Sequence, residues 1–343
     1  MGQLLLAGDI GGTKTDLAVA VEDRGGVRLL AEATVASAEH AGVVELASSF
    51  LRRTGLRVSH ACFSVAGPVV DGRTRFPNLG WEVGEEELRG ALGVRGARLV
   101  NDLQATALGA LHLAPAQRLA LQEGEPHPLG ARAVIAPGTG LGEAFLVHDG
   151  TAWTALPSEG GHADFAPVGA EQRELHAFLE AELGRVSCER VCSGPGIANL
   201  RRFLLASGRA QDPPELAARI AAAADPTPLI VEAGLGAAAA GSASARALDL
   251  FAAILGAEAG NLALRLLSTG GVLVGGGIPL RLAPVLRREA FLRAFRQKGR
   301  MSDLARRVPV HLVLEPRTAL MGAVRYGLAA MRPIPAPCPT PVP

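Results

Sequence analysis

The chain has little of several features that would point to a particular partner. Its formal net charge is only +1 over 343 residues, so it lacks the basic surface that nucleic acids and anionic membranes attract. The alanine-rich stretch over 217–267 is interrupted by charged side chains, and no apolar run reaches the roughly 20 residues that a membrane span requires. We therefore expect neither a nucleic-acid partner nor a membrane partner.

Cysteine and lysine are also scarce. The four cysteines form no pair of C-x-x-C motifs, and no secretory leader precedes them, which predicts reduced thiols and a cytoplasmic protein. Cys188 and Cys192 stand four residues apart, but no second ligand pair lies nearby, so no structural zinc is expected. Of the two lysines, against 32 arginines, Lys14 lies inside a glycine turn. It is either a solvated side chain or a charge that serves a ligand of that turn.

The commoner nucleotide-binding motifs are absent from this sequence. One glycine turn reads Gly-Gly-Thr-Lys and differs from a P-loop, and another reads Gly-Thr-Gly-Leu-Gly. The second turn lies between two predicted strands, whereas a dinucleotide fingerprint opens a helix. Protein-kinase signatures are missing as well. A nucleotide would therefore be held by some other arrangement.

The most informative feature that is present is a glycine turn that occurs twice between strands. After Asp9 the first turn contains Gly11, Gly12, Thr13 and Lys14, and the second contains Gly138, Thr139 and Gly140. Glycine allows close backbone approach, so the amide groups and threonine hydroxyls of such turns can face an anion. A single turn of this kind is explained by a simple hairpin, but its recurrence favours two phosphate-binding turns.

The order of predicted elements indicates a duplicated α/β unit. The first copy has strands near 3–9, 15–21 and 27–35, a helix near 39–54, a strand at 58–65, a helix near 84–92, a strand at 97–100 and a helix that opens at Asp102. The second has three strands over 132–160, helices near 170–184, 195–207, 213–223, 228–240 and 243–268, a strand at 271–274, a helix near 284–297, a strand at 308–313 and a helix near 317–330. We expect antiparallel meanders extended by helical crossovers.

Asn101 and Asp102 lie where a predicted strand ends and a helix begins, the position at which α/β folds present groups to ligands. Asp102 has two interpretations. It is an N-cap that stabilises the helix by about 1 kcal/mol, or it is the carboxylate base that takes a proton from a substrate hydroxyl. The residues alone favour neither.

Two further clusters follow predicted strands. Glu159 and His162 flank two glycines, and these side chains either bind several neighbouring hydroxyls or form a surface pair; the glycines argue against a helical metal site. Gly275, Gly276 and Gly277 follow a short apolar strand. Their backbone either lies against an adenine or ribose or forms a tight strand-to-helix turn.

Seven motifs occur in a fixed order along residues 4–330. They are Asp9-Ile-Gly-Gly-Thr-Lys14, Pro77-Asn78-Leu79-Gly80-Trp81, Asn101-Asp102, Gly138-Thr139-Gly140, Ser158-Glu-Gly-Gly-His162, Ser193-Gly194-Pro195-Gly196 and Gly275-Gly276-Gly277. Taken together in this order, they resemble the motifs of the bacterial glucokinases. The resemblance implies the sugar kinase, actin and heat-shock chaperone superfamily. Its fold has two ribonuclease-H-like domains, each with a mixed five-stranded sheet, around a cleft that binds ATP and substrate. The expected small domain covers 1–110 and 315–332, the large domain covers 111–314, and the proline-rich tail 333–343 is expected to be disordered.

The same resemblance implies roles for individual residues. Asp102 matches the catalytic base, and the sugar ligands match Asn78, Asn101, Glu159, His162 and Glu189. Asp9 matches the acid associated with Mg²⁺ and phosphate, while the two glycine turns and Gly275 to Gly277 match the ATP-binding segments. Lys14 makes the first turn more similar to the related repressor, open-reading-frame and kinase (ROK) family, but the cysteine-rich zinc motif of that family does not follow His162.

The implied activity is ATP-dependent phosphorylation of D-glucose at its 6-hydroxyl by a cytoplasmic homodimer. Three alternatives stay open at this point. Another hexose or amino-sugar kinase would use the same carboxylates and imidazole. A sugar-responsive regulator is disfavoured because the first strand starts by Gln3, without a preceding DNA-binding segment, and an actin-like filament or chaperone ATPase would leave Glu159 and His162 without a sugar to bind.

Overall fold

The computed structural model describes residues 3–23, 26–76, 79–236 and 240–331. Contacts divide the chain into two compact units. The first contains the residues up to His112 together with those from Arg317 onward, and the second runs from Leu113 to Pro316. Asn78 and the expected tail 333–343 lie outside the described residues.

The first unit contains a mixed five-stranded sheet, a short hairpin and four α-helices within the described ranges. Its elements are β1 (Leu5–Ile10), β2 (Lys14–Asp23), β3 (Gly26–Ala36), α1 (Val43–Thr54), β4 (His60–Val65), β5 (Arg73–Phe76), β6 (Trp81–Gly84), α2 (Glu85–Leu92), β7 (Gly96–Asn101), α3 (Asp102–Ala110) and α13 (Thr318–Ala330). The strand order is β3-β2-β1-β4-β7, and β5 pairs with β6. The β5–β6 hairpin was not predicted from the sequence.

The pairing of these strands confirms the expected meander and crossovers. β1, β2 and β3 pair antiparallel, whereas β1 pairs parallel with β4 and β4 pairs parallel with β7. In register, Ile10 lies opposite Val65, which in turn lies opposite Asn101. The carboxyl ends of three parallel strands therefore align, and the first glycine turn and Asp102 lie at the same edge of the sheet.

The second unit repeats this plan with helices inserted. Its elements are β8 (Arg118–Gln122), β9 (Arg132–Pro137), β10 (Leu141–His148), β11 (Trp153–Ser158), α4 (Gly169–Leu183), α5 (Gly194–Ala206), α6 (Pro214–Ala222), α7 (Thr227–Leu235), α8 (Ala243–Arg265), β12 (Gly271–Val274), α9 (Gly277–Arg281), α10 (Ala283–Leu286), α11 (Glu289–Arg296), α12 (Ser302–Arg307) and β13 (Val310–Val313). The sheet order is β11-β10-β9-β12-β13-β8.

This second sheet has six strands, so the expectation of five strands in each domain was wrong for the second copy. The additional strand, β8, pairs antiparallel with β13. β8 is only five residues long and its partner lies almost 190 residues further along the chain. A strand this short is formed by its tertiary pairing more than by its own sequence.

Two helix predictions also required correction. The helix expected near 284–297 is divided into α10 and α11, because Arg288 adopts an extended backbone between them. The helix expected over 228–240 ends at Leu235, where Gly236 becomes extended.

α8 forms the centre of the second unit's core. By length and composition it would qualify as a membrane span, but 78% of its most apolar stretch is buried inside the protein. Phe251, Leu255 and Leu262 of this helix are fully buried within the apolar cluster that also contains Phe291 and Phe295 of α11. α8 is therefore a buried core helix, and a helix buried on all sides is apolar on nearly every face.

Candidate active site

The first glycine turn closes the β1–β2 hairpin and is held from outside by Ser37. The Gly11 amide donates to the Lys14 carbonyl at 3.0 Å. The Ser37 hydroxyl donates to the Gly11 carbonyl at 2.7 Å, and the Ser37 amide donates to the Thr13 carbonyl at 3.0 Å. Gly12, Thr13 and Lys14 themselves are exposed. The turn is therefore rigidly supported while its tip is available to a ligand.

Asp9 lies at the end of β1, directly before this turn. Its Oδ1 accepts a hydrogen bond of 2.7 Å from the hydroxyl of Ser64, the residue opposite it on β4. Burial raises the pKa of Asp9, the Ser64 hydrogen bond lowers it, and the negative charge of Asp16 raises it. The ammonium of Lys14 contacts Asp16 Oδ2 at 3.0 Å. Lys14, whose side chain is 61% exposed, therefore forms an ion pair with Asp16 close to Asp9.

Asn101 and Asp102 occupy the junction between β7 and α3, as the sequence predicted. The N-cap of α3 is Asn101, whose Oδ1 accepts from the amides of Leu103 at 2.9 Å and Gln104 at 3.3 Å. Its Nδ2 donates to the Gly67 carbonyl at 3.1 Å. The interpretation of Asp102 as the N-cap was therefore wrong, because Asp102 is the first residue of α3 and the N-cap is the residue before it. Asp102 Oδ1 accepts from the Leu103 amide at 2.9 Å.

The second glycine turn borders a large cavity in the second unit. The cavity has a volume of about 650 Å³, and among its lining residues are Gly138, Thr139, Gly194, Thr227, Gly277 and Ile278. The Gly138 carbonyl accepts from the Gly194 amide at 2.8 Å, and the Thr227 hydroxyl donates to the Gly194 carbonyl at 3.0 Å. These bonds join the turn to the first turn of α5 and fix one wall of the cavity.

The three consecutive glycines pack against the same turn. Gly275 donates its amide to the Ile135 carbonyl at 2.8 Å. At Gly276, where φ is +91°, a Cβ would lie 2.6 Å from the Pro137 carbonyl oxygen. Only glycine tolerates both the positive φ and this close approach. Of the three, Gly277 lines the cavity, so the segment is both a tight strand-to-helix turn and a wall of the cavity.

Glu159, His162 and Glu189 are brought together although they come from separate segments. A 3₁₀ turn over Gly160–His162 follows β11, and another over Cys188–Arg190 carries Glu189. His162 lies between two carboxylates, with Nε2 3.9 Å from Glu159 Oε2 and Nδ1 3.9 Å from Glu189 Oε1. The His162 and Glu159 side chains are about 60% exposed. The cluster presents several donors and acceptors to a polyhydroxylated ligand.

Glu189 also connects this cluster to the second glycine turn. Its Oε2 accepts from the Leu141 amide at 3.0 Å, immediately after Gly140. A Cβ on Gly140 would overlap that same carboxylate oxygen. The residues that match sugar ligands and those that match a phosphate-binding turn are therefore directly bonded within the second unit.

Asp9 fits a role beside Mg²⁺ that is delivered with a nucleotide. Within the described ranges no group of three or more histidine, cysteine, aspartate and glutamate side chains has the arrangement of a metal site. Mg²⁺ in phosphoryl-transfer sites usually keeps several waters and is held by one or two carboxylates together with substrate phosphates. A single carboxylate such as that of Asp9, adjacent to the exposed first glycine turn, fits this kind of donor set.

Sequence reasoning missed the residues that support these groups. Ser37 and Ser64 are fully buried and bond to the first turn and to Asp9. Asn199 and Thr227 line the cavity. The local sequence around them contains no glycine turn or charged cluster, so their roles follow only from the tertiary contacts.

Comparison with known proteins assigns the chain to a family. Residues 6–330 match the glucokinase family model. The glucokinase of Nostoc punctiforme is 37% identical over 332 residues, which cover 93% of this chain and 97% of that protein. The glucokinase of Caulobacter vibrioides is 38% identical, with 94% of each chain covered.

Solved structures agree with this assignment. The crystal structure of a glucokinase from an Antarctic psychrotroph superposes with a TM-score of 0.82 at 31% identity, covering 96% of this chain and 100% of that chain. A ROK-family glucokinase from Streptomyces griseus, in complex with glucose and AMPPNP, shares the fold with a TM-score of 0.62 at 22% identity, covering 95% and 99%. The α/β architecture predicted from the element order is thus confirmed, and the chain belongs to the glucokinase family of sugar kinases.

Proposed function

We propose that this enzyme transfers the γ-phosphoryl group of ATP to the 6-hydroxyl of D-glucose. The observation that carries the proposal is the hydrogen bond from the Leu141 amide to Glu189. This bond connects the end of the second glycine turn to the cluster of Glu159, His162 and Glu189. The residues proposed to bind phosphate and those proposed to bind sugar are therefore held in a fixed relation to each other. Family membership supports the same reaction.

The second unit would bind the nucleotide. Apolar walls that include Ile278 and Val231 suit an adenine, while Thr139 would offer its backbone amide and its hydroxyl to phosphate. Gly277 would bring its backbone close to the ligand without a side chain in the way, and Gly275 and Gly276 would form the tight turn that places it there. Asn199 and Thr227 offer polar groups for a ribose.

The first unit would supply the groups that act on the transferring phosphoryl. Asp9 would hold the Mg²⁺ that accompanies ATP, which supplies charge neutralisation to the phosphates. Gly12 and Thr13 would donate to phosphate oxygens from the exposed tip of the turn, which the hydrogen bond from the Gly11 amide to the Lys14 carbonyl closes. Lys14 would add positive charge there, reduced by its ion pair with Asp16.

Asp102 would accept the proton of the 6-hydroxyl as oxygen attacks phosphorus. Its carboxylate is held at the start of α3, where Oδ1 accepts a hydrogen bond from the Leu103 amide. Asn101, Glu159, His162 and Glu189 would hold the sugar ring, with Asn78 as a further ligand implied by the family resemblance. Because phosphoryl transfer asks little covalent chemistry of the protein, positioning and charge stabilisation supply most of the catalysis.

A cytoplasmic homodimer is the state that we propose for the enzyme. Cys62, Cys188 and Cys192 are free and buried, which is consistent with a reducing compartment. The family resemblance supports the dimer, and light scattering at assay concentration tests it by the mass of the particle.

An ADP-release assay over a panel of hexoses and phosphoryl donors tests the proposed reaction. Glucose with ATP should give the highest kcat/KM, and mannose, galactose and fructose should fall roughly one to two decades behind, because an epimeric hydroxyl leaves polar groups that the bound sugar covers without a partner. Comparable values for mannose or fructose would instead indicate a broader hexokinase.

Asp102→Asn tests the assignment of the base. A general base contributes about 10²–10⁴ in rate, so turnover should fall at least ~10²-fold while glucose binding stays within about tenfold. Asp249→Asn is the matched control, because Asp249 of α8 forms a half-exposed ion pair with Arg288 in the second unit. Retention of more than about a tenth of wild-type turnover in Asp102→Asn would assign proton transfer to another group.

A further inference from the structure

A fully buried acid, Glu143, lies beneath the segments that carry Glu159, His162 and Glu189. It is the third residue after Gly140 and belongs to β10. Its side chain is 1% exposed. Within the described part of the chain neither carboxyl oxygen has a hydrogen-bond partner. Buried polar groups are normally bonded, so an orphaned carboxyl group requires an explanation.

The Glu143 carboxyl group faces the backbone of the 3₁₀ turn Gly160–His162. Glu143 pairs across the sheet with Ser158, the last residue of β11. A Cβ on Gly160 would overlap Glu143 Oε2 and lie 3.0 Å from the Ser158 hydroxyl oxygen. The Gly160 amide itself donates to that hydroxyl at 3.0 Å. The two side chains together form the surface on which the turn rests, and only glycine fits there.

The same acid is close to the segment that carries Glu189. Cys188, which directly precedes Glu189, directs its thiol toward Glu258 Oε2 at 3.7 Å. The charge of Glu143 acts on both Cys188 and Cys192 and raises the pKa of each thiol. Glu143 therefore lies close to both segments that carry the proposed sugar ligands, the turn with His162 and the turn with Glu189.

Burial raises the pKa of Glu143 to about 7, with a further increase from Glu258 and an opposing effect from Arg265. Glu258 is itself paired, accepting from Arg265 at 2.7 Å and from Asn261 at 2.9 Å. The ionisable groups on the elements around Glu143 are Glu159 and His162 on the turn, Cys188, Glu189 and Cys192 on the neighbouring segment, and Glu258, Arg265 and Lys298 at the core helix. Among these groups, the positive charge of Arg265 lowers the pKa of Glu143.

We infer that Glu143 is a positioning residue for the sugar substrate, which in its protonated form supports the Gly160–His162 turn and so sets Glu159 and His162 against Glu189. A neutral carboxyl group can remain dry beneath this backbone, whereas an ionised one draws water or a counter-charge into a packed site. Ionisation therefore loosens the turn and weakens sugar binding. The inference rests on the proposed function, since it assigns a role within that sugar site.

Two Glu143 variants and one control variant test this role through KM for glucose. Glu143→Leu should raise KM for glucose at least tenfold and leave KM for ATP within twofold, because the nucleotide cavity is lined by other residues. Glu143→Gln, which keeps the shape of a neutral carboxyl group, should restore a low KM. Glu174→Gln is the control, since Glu174 is an exposed partner of Arg209, and it should leave both KM values unchanged.

The pH dependence of KM for glucose distinguishes a positioning role of Glu143 from a role in packing alone. In the wild type, KM for glucose should rise at least threefold between pH 6 and pH 8, and Glu143→Gln should lose that rise. Glu258→Gln should move the midpoint of the rise to lower pH, because it removes a neighbouring negative charge. An unchanged profile in Glu143→Gln, an unmoved midpoint in Glu258→Gln, or equal increases in both KM values for Glu143→Leu would overturn the inference.

The two proposals fail in different measurements. A wild-type enzyme that phosphorylates no glucose contradicts the proposed function. Suppose instead that the wild-type enzyme is active on glucose and that KM for glucose depends on pH in Glu143→Gln as it does in the wild type. This result contradicts only the role of Glu143.

Discussion

A single buried carboxyl group makes the stability of this enzyme depend on pH near neutrality. The pKa of Glu143 rises from 4.5 to about 7, chiefly because of burial. Between these values the unfolded chain releases the proton while the folded chain keeps it. Since the folded state then binds more protons, stability decreases as the pH rises through this window and levels off above about pH 7.

This argument predicts a measurable difference between the wild type and Glu143→Gln. From pH 4.5 to pH 7.5 the wild type should lose stability relative to the variant by on the order of 3 kcal/mol. Urea unfolding at intervals of half a pH unit gives the difference curve, in which groups common to both proteins cancel. A flat difference curve would show that Glu143 is ionised in the folded protein at the pH values where it is ionised in the unfolded chain.

The sequence predicts the roles of some residues of the candidate site but not of others. The turn around Gly11 and the glycines before His162 are visible because short-range spacing and residue type suffice to mark them. Glu143 is not visible in this way, although it follows the second turn directly. Its importance arises from burial and from the close approach of Gly160, and neither can be predicted from the local sequence around Glu143.

At the scale of elements, the position of Asp102 depends on close packing between α3 and α13. A Cβ on Gly322 of α13 would overlap the Ala105 carbonyl oxygen of α3, and one on Gly109 of α3 would overlap the Thr318 carbonyl oxygen. Two glycines thus allow the helix backbones to touch. α13 also packs on β1, the strand that ends at the first glycine turn.

Gly322→Ala and Gly90→Ala should therefore change stability in opposite directions. Both glycines lie in helices, but a Cβ on Gly90 would meet nothing within 4 Å. Gly90→Ala should stabilise the enzyme by about 0.5–1 kcal/mol through helix propensity. Gly322→Ala should destabilise it by roughly 1–3 kcal/mol, because the helices must separate, and should lower kcat by shifting α3. Thermal unfolding and steady-state kinetics measure both effects, and an active Gly322→Ala with raised Tm would contradict this account.

Elements with strong local signals were predictable, and those formed by distant contacts were not. β1, β2 and β4 are apolar runs bounded by turn residues, and their positions were predicted within about two residues. β8 and the β5–β6 hairpin are short, and a five-residue strand such as β8 gains its structure from a partner far along the chain. α10 and α11 could not be distinguished from one helix, because the break at Arg288 involves no proline or glycine at that position.

At the scale of the whole molecule, the first unit is discontinuous in sequence. α13 returns after the second unit and contributes Leu320, Ala323, Val324 and Leu328 to an apolar cluster with residues of β1, β2 and β4. Without α13 one face of the first sheet would lose its cover. The second unit, by contrast, contains all the residues that line the 650 Å³ cavity.

Two truncations should separate phosphoryl transfer from nucleotide binding. A chain that ends at Pro316 lacks α13, so the bare sheet exposes buried apolar residues such as Leu5 and Ala7, and the first unit should fail to fold. This chain should show no glucose phosphorylation but should still bind an ATP analogue by calorimetry, because the second unit and its cavity remain. A chain that ends at Met331 retains every helix and strand described and should keep wild-type turnover. Phosphorylation by the shorter chain would show that α13 is dispensable, and loss of nucleotide binding would show that the second unit does not fold independently.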